Sequence, residues 1–119
     1  MTFDTLGLSA DLVRTVAEEG YESPTPVQTA AIPLVLGGRD LLAAAQTGTG
    51  KTAAFALPIL DRLRKHANTS FSPARHPVRS LILVPTRELA MQVDQSFQTY
   101  GRTVPLRSTV VYGGVPIEP

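Results

Sequence analysis

The chain has 119 residues, 11 Lys and Arg against 10 Asp and Glu, a formal net charge of +1, 43% hydrophobic residues and no cysteine. That length predicts at most one domain, able to bury a core without disulfides. The absence of cysteine excludes a disulfide scaffold, a thiolate metal site and a cysteine nucleophile, and the near-neutral charge excludes nucleic-acid binding driven by charge alone.

No apolar run reaches the ~20 residues of a bilayer span, and the first fifteen residues hold Asp4 and Asp11 but no basic residue before Arg14, which does not read as a signal peptide, so a soluble, cytoplasmic chain is expected. In chain order, Ser9 is placed as an N-cap, with Leu8 and Val13 as a hydrophobic staple and Leu12, Val16 and Ala17 as the apolar face of a helix that Gly20 ends. Ser23-Pro24-Thr25-Pro26 predicts an extended turn, and Pro26 suits the first position of a helix reaching about Leu36, which Pro33 should bend or shorten. Asp40 to Ala45 is a short apolar run before a Gly-rich loop and predicts a buried parallel strand. Lys51 to about Arg64 predicts a helix kinked at Pro58, and residues 65–79 have loop composition. Ser80 to Val84 predicts a second strand. Thr86 caps a further helix with Leu89, Val93, Phe97 and Tyr100 at helical spacing and Gly101 as its stop, and Arg107 to Tyr112 predicts a third strand. Alternating helices and strands with short joints predict an α/β fold with a parallel sheet and crossover helices, which binds ligands at the carboxyl ends of its strands.

Ala45-Gln46-Thr47-Gly48-Thr49-Gly50-Lys51-Thr52 joins the first expected strand to a helix, the context of a phosphate-binding loop. Gly48 and Gly50 let backbone N–H groups turn inward around an anion, and the helix N-terminus adds its positive dipole end. Lys51 would reach the β and γ phosphates, and the Thr52 hydroxyl would ligate Mg²⁺. Ala45 departs from the general pattern, which has Gly at that position. The plainer alternative is a Gly-rich strand-to-helix turn with an incidental lysine.

Gln28 lies 23 residues before Lys51. Its amide can offer a donor and an acceptor to an adenine edge, a pattern guanine does not match. Thr25-x-x-Gln28 also spells a capping box, in which Gln28 reaches back to the backbone of Thr25. Both readings stand at this stage, since one residue can cap in one state and meet a base in another.

Phe3, then Gly20-Tyr21-Glu22-Ser23-Pro24-Thr25-Pro26-Val27-Gln28, then AQTGTGKT at 45–52, then Pro85-Thr86-Arg87-Glu88-Leu89-Ala90, then Gly113-Gly114 resemble the ordered motifs of the DEAD-box RNA helicases. They match the Q motif with its upstream aromatic, motif I, motif Ia and the GG element, and among relatives they most resemble the bacterial RhlE branch. Ala45 is usual in that family. The resemblance implies a RecA-like fold, with residues 1–36 as the Q-motif region and 37–119 as the P-loop, motif Ia and GG region. It implies ATP or ADP with Mg²⁺ as ligands: Gln28 reads adenine, Tyr21 packs on its ring, Phe3 braces the Q motif, and Gln46, Thr47, Gly48, Thr49, Gly50, Lys51 and Thr52 hold the phosphates. It further implies that Pro85, Thr86, Arg87, Gly113 and Gly114 meet the backbone of single-stranded RNA. Charge agrees: residues 1–60 carry three basic and six acidic side chains, whereas residues 61–119 carry eight and four.

The family's Asp-Glu-Ala-Asp and Ser-Ala-Thr motifs and its second RecA-like domain have no counterpart in these 119 residues, which resemble about half of the first helicase domain. On that likeness the chain alone is expected to hydrolyse no ATP and unwind no duplex, since loss of an arginine finger alone typically costs about 10³ to 10⁵ in rate. The expected strand at 40–45 would lack its usual neighbours, so either more protein follows or the fragment repairs its edges by oligomerising, swapping or rearranging its strands. A catalytically dead nucleotide- or RNA-binding module, or part of another P-loop NTPase, are the alternatives.

Overall fold

Four helices account for the regular structure of the computed structural model, which describes residues 2–45, 50–66 and 77–111. They are α1 (Ala10–Glu18), α2 (Pro26–Leu36), α3 (Lys51–Leu63) and α4 (Arg87–Tyr100), with single 3-10 turns at Phe3–Thr5 and Arg64–His66.

Local chemistry explains their ends. The Thr25 hydroxyl accepts from the backbone N–H of Gln28 at 3.4 Å while the Gln28 Oε1 accepts from that of Thr25 at 3.0 Å, so the capping box before α2 is complete, with Pro26 at the first helical position. Thr86 caps α4 by accepting from Leu89 N–H at 3.1 Å. Gly20, at φ +88°, turns the chain out of α1: its N–H donates to Ala17 and that of Tyr21 donates to Val16, the paired bonds of a Schellman ending. One expectation needs correction. Ser9 precedes α1 in extended conformation, yet its hydroxyl is buried without a partner and it is its backbone N–H that bonds, to Asp61 at 3.2 Å. α2 runs to Leu36 as expected, with Pro33 inside it.

The core forms around α3, which buries Ala53, Ala54, Ala56, Leu57 and Leu60 and packs on both α2 and α4. Phe3, Leu6, Leu8, Leu12 and Val16 close it from the N-terminal side, and Ile32, Tyr100 and Val104 from the others. Small alanines let the neighbouring helices approach, and the leucines supply the buried area, about 1.5 to 3 kcal/mol for each fully buried side chain.

The three expected strands are not formed as such. Residues 40–45, 80–84 and 107–111 are in no strand, and no strand occurs among the described residues; Tyr112 lies outside them. The physical reason is pairing. A strand is stable only when its backbone N–H and C=O groups meet those of a neighbour, and among the described residues these apolar runs pair with no ladder. Leu42 is 100% exposed, and Leu81 and Leu83 are exposed as well. The apolar character that marks the runs as strand-like is therefore present, while no partner ladder forms among the described residues.

Candidate nucleotide site

Gln28 is where two of the sequence motifs meet. It sits in the first turn of α2 at 2% exposure, and its Nε2 donates to the backbone carbonyl of Gly50 at 3.1 Å, while its Oε1 accepts from Thr25. One side chain thus ties the turn before α2 to the residue that opens α3. Gly50 adopts φ +80°, and a Cβ added there would lie 2.2 Å from Nε2 of Gln28. Only glycine permits both that backbone and that approach.

Gly50 caps α3 and offers no side chain to its first-turn N–H groups, and Lys51 is exposed at the first helical position. Uncapped helix N-termini bearing a lysine favour anions. Thr52 follows, partly buried. Gln46, Thr47, Gly48 and Thr49 lie outside the described residues, as do most of the expected 65–79 loop and Gly113 and Gly114.

The remaining expected site residues fall in two groups. Phe3 is buried in the core with Leu6 and Leu12, so it supports the α1 side of the structure from within. Tyr21 is 46% exposed and packs on Tyr100 at the end of α4. Pro85, Thr86 and Arg87 are exposed at the start of α4, roughly 20 Å along its axis from Tyr100 for a helix of its length. The sequence did not single out Tyr100 as a neighbour of Tyr21, or Arg102 as a partner of Glu18 and Glu19. Tyr100 falls in the apolar stripe of α4, and at helical spacing an aromatic that supports a site looks the same as one that fills a core. Among the described residues no cluster of His, Asp or Glu is arranged to hold a metal, and no helix is long and apolar enough to cross a membrane.

Comparison with known proteins places this geometry. The RNA-helicase Prp28 from Chaetomium thermophilum, solved bound to ADP, matches with a TM-score of 0.83 at 36% identity, covering 97% of this chain and 27% of that one. Dbp5 of S. cerevisiae, bound to RNA and ADP BeF3, matches with a TM-score of 0.70 at 35% identity, covering 85% and 24%. An α/β RecA-like fold fits the backbone path, although its ladder is not formed among the described residues. The chain is also 44% identical over 117 residues to the DEAD-box ATP-dependent RNA helicase RhpA of Helicobacter pylori, covering 98% of this chain and 22% of that protein. Residues 25–119 match the family model described as DEAD/DEAH box helicase, and the chain belongs to that family. It spans 22% of the length of that relative.

Proposed function

We propose that the chain is the nucleotide-binding part of an ATP-dependent RNA helicase of the DEAD-box type, of the RhlE-like branch its motifs resemble, acting in the cytoplasm. The observation that carries this reading is the Gln28 amide. Its bonds to Thr25 and Gly50 use one N–H and one lone pair, which leaves one of each. An adenine edge needs that complement, an acceptor against N6–H and a donor against N7, so capping does not use up the groups that base reading needs. The alternatives left open by the sequence therefore need not compete.

In this reading α3 supplies the phosphate end. Its first-turn N–H groups and the Lys51 ammonium hold the β and γ phosphates, with Gln46 to Thr49 completing the loop, and Tyr21 covers the base. The Thr52 hydroxyl would hold Mg²⁺, which neutralises phosphate charge and polarises the phosphoryl oxygens when bound. Pro85, Thr86 and Arg87 at the N-terminal end of α4, with Gly113 and Gly114, meet the sugar-phosphate backbone of single-stranded RNA; the family membership and the basic second half support this. The 119 residues hold no Asp-Glu-Ala-Asp stretch. By themselves they bind nucleotide without hydrolysing it and associate or swap strands through exposed Leu42, Leu81 and Leu83.

The test is a fluorescence titration with labelled ADP, competed by ADP and by GDP, on the wild-type chain and on Gln28→Ala. A bidentate amide contact of about 1 to 3 kcal/mol predicts an adenine preference of roughly 5- to 150-fold that the variant loses. Equal competition by both nucleotides on the wild type would reduce Gln28 to a capping residue.

A further inference from the structure

Tyr21 leaves α1 on a fixed backbone. Gly20 turns at φ +88°, and the Tyr21 N–H is bonded to Val16 O at 3.2 Å. Its ring, however, is 46% exposed, and a half-exposed tyrosine ordinarily samples three staggered χ1 wells. One ring packs against it. Tyr100, at the last position of α4, lies with its centroid 6.4 Å from that of Tyr21 at a 52° tilt, and the two hydroxyls are 3.5 Å apart. Tyr100 is itself held: it is 7% exposed and packed in the cluster that contains Leu12, Val16 and Leu60. Two residues further on, Arg102 reaches across to Glu19 at 2.9 Å and Glu18 at 3.1 Å while bonding its own Thr99 carbonyl at 3.2 Å. Tyr100 and Arg102, at and just past the end of α4, therefore hold the stretch 18–21 by one ring and one guanidinium paired with two carboxylates. None of these contacts is needed to close α1, because its ending is complete in its own backbone bonds.

We propose that Tyr100 is a positioning residue for Tyr21, holding that ring in the orientation that receives adenine, so that the end of α4 sets affinity for adenine nucleotides. This rests on the reading of Tyr21 as the ring that covers the base. The arithmetic is a population argument. If the ring spends only about one third of its time in the competent χ1 well once Tyr100 is gone, affinity falls by about threefold, and loosening of the grip on residues 18–21 extends this toward tenfold. The loss falls on the base and spares the phosphates.

The experiment measures affinity of the full-length protein for ADP and for inorganic tripolyphosphate, in Tyr21→Ala, Tyr100→Leu, Tyr100→Phe and the Tyr21→Ala/Tyr100→Leu pair. Tyr21→Ala is expected to weaken ADP by roughly 5- to 150-fold, the loss of one base stack. Tyr100→Leu is expected to weaken ADP by about three- to tenfold with tripolyphosphate unchanged, Tyr100→Phe to stay within about twofold, and the pair to be no weaker than Tyr21→Ala alone. If Tyr21→Ala weakens ADP and Tyr100→Leu does not, the positioning role is overturned and the reading of Tyr21 stands. If Tyr21→Ala has no effect, that reading falls and the positioning role with it. Equal losses for ADP and tripolyphosphate, or a pair weaker than Tyr21→Ala, assign Tyr100 a structural role and overturn the proposal. Should Tyr100→Leu not fold, Tyr100→Phe combined with Arg102→Ala keeps the core ring and cuts the remaining ties; about a two- to threefold loss is expected, and unchanged ADP affinity overturns the proposal.

Discussion

Gly50→Ala probes the contact that joins the turn before α2 to α3. An L-residue at φ +80° carries a left-handed strain of about 1 to 2 kcal/mol. The new Cβ would also sit 2.2 Å from Nε2 and 3.1 Å from Cδ of Gln28, which forces the amide away. That displacement removes the bond to Gly50 O and disturbs the one from Thr25, each worth about 0.5 to 1.5 kcal/mol. The sum is about 2 to 5 kcal/mol, a large part of the 5 to 15 kcal/mol that holds a domain of ordinary stability. The assay is urea unfolding followed by far-ultraviolet circular dichroism, since the chain has no tryptophan. In a Gln28→Ala background the clash is gone, the nearest remaining atom being Thr25 Oγ1 at an ordinary 3.5 Å, so Gly50→Ala should cost only the backbone strain of about 1 to 2 kcal/mol. The double-mutant cycle then shows a coupling of about 1 to 3 kcal/mol. Strict additivity, within about 0.5 kcal/mol, would refute the packing of the Gln28 amide over Gly50.

Lys51 is exposed, so Lys51→Ala should abolish binding of labelled ADP while leaving the circular dichroism spectrum unchanged; a collapsed spectrum would make the lysine structural. Arg87→Ala should weaken single-stranded RNA binding and reduce the slope of log affinity against log salt by about one, measured by fluorescence anisotropy. The Tyr100 hydroxyl is held well above its ordinary value of 10.0 by burial first, then by the Tyr21 hydroxyl and the charges of Tyr21 and Glu19. Above pH 10 the unfolded chain releases a proton that the folded chain keeps, so the contribution to stability is whole below that pH and declines as pH rises past it. Tyr100→Phe should therefore show a flatter dependence of the urea midpoint between about pH 9 and 11 than the wild type.

What was legible in the sequence was whatever depends on neighbours close in the chain. Thr86 and Gly101 bracket α4 as expected, and Thr25 and Gln28 form the capping box their spacing spells, because a cap needs only its own first turn. Ser9 shows the limit of that logic: its position is that of a cap, but Asp61, fifty-two residues away, takes its backbone N–H and its hydroxyl is left buried. The runs at 40–45, 80–84 and 107–111 have strand composition, yet a ladder depends on which backbones lie alongside, and periodicity does not carry that information. Gln28 was legible as a choice between cap and base reader, and it took the structure to show that the amide caps, bonds Gly50 and still keeps a donor and an acceptor. Tyr100 was legible only as part of an apolar stripe, since its pairing with Tyr21 spans seventy-nine positions.

The most direct measurement is a ¹⁵N-edited nuclear magnetic resonance titration of the chain with ADP and Mg²⁺, following the side-chain amide of Gln28 and the backbone amides of Tyr21, Gly50, Lys51 and Thr52. A nucleotide seated between Gln28 and the start of α3 shifts these signals together, and GDP shifts the backbone amides of Gly50 to Thr52 with far less effect on the Gln28 side chain. Shifts confined to other parts of the chain, or a Gln28 side chain that does not respond to ADP while Lys51 does, would contradict the adenine site.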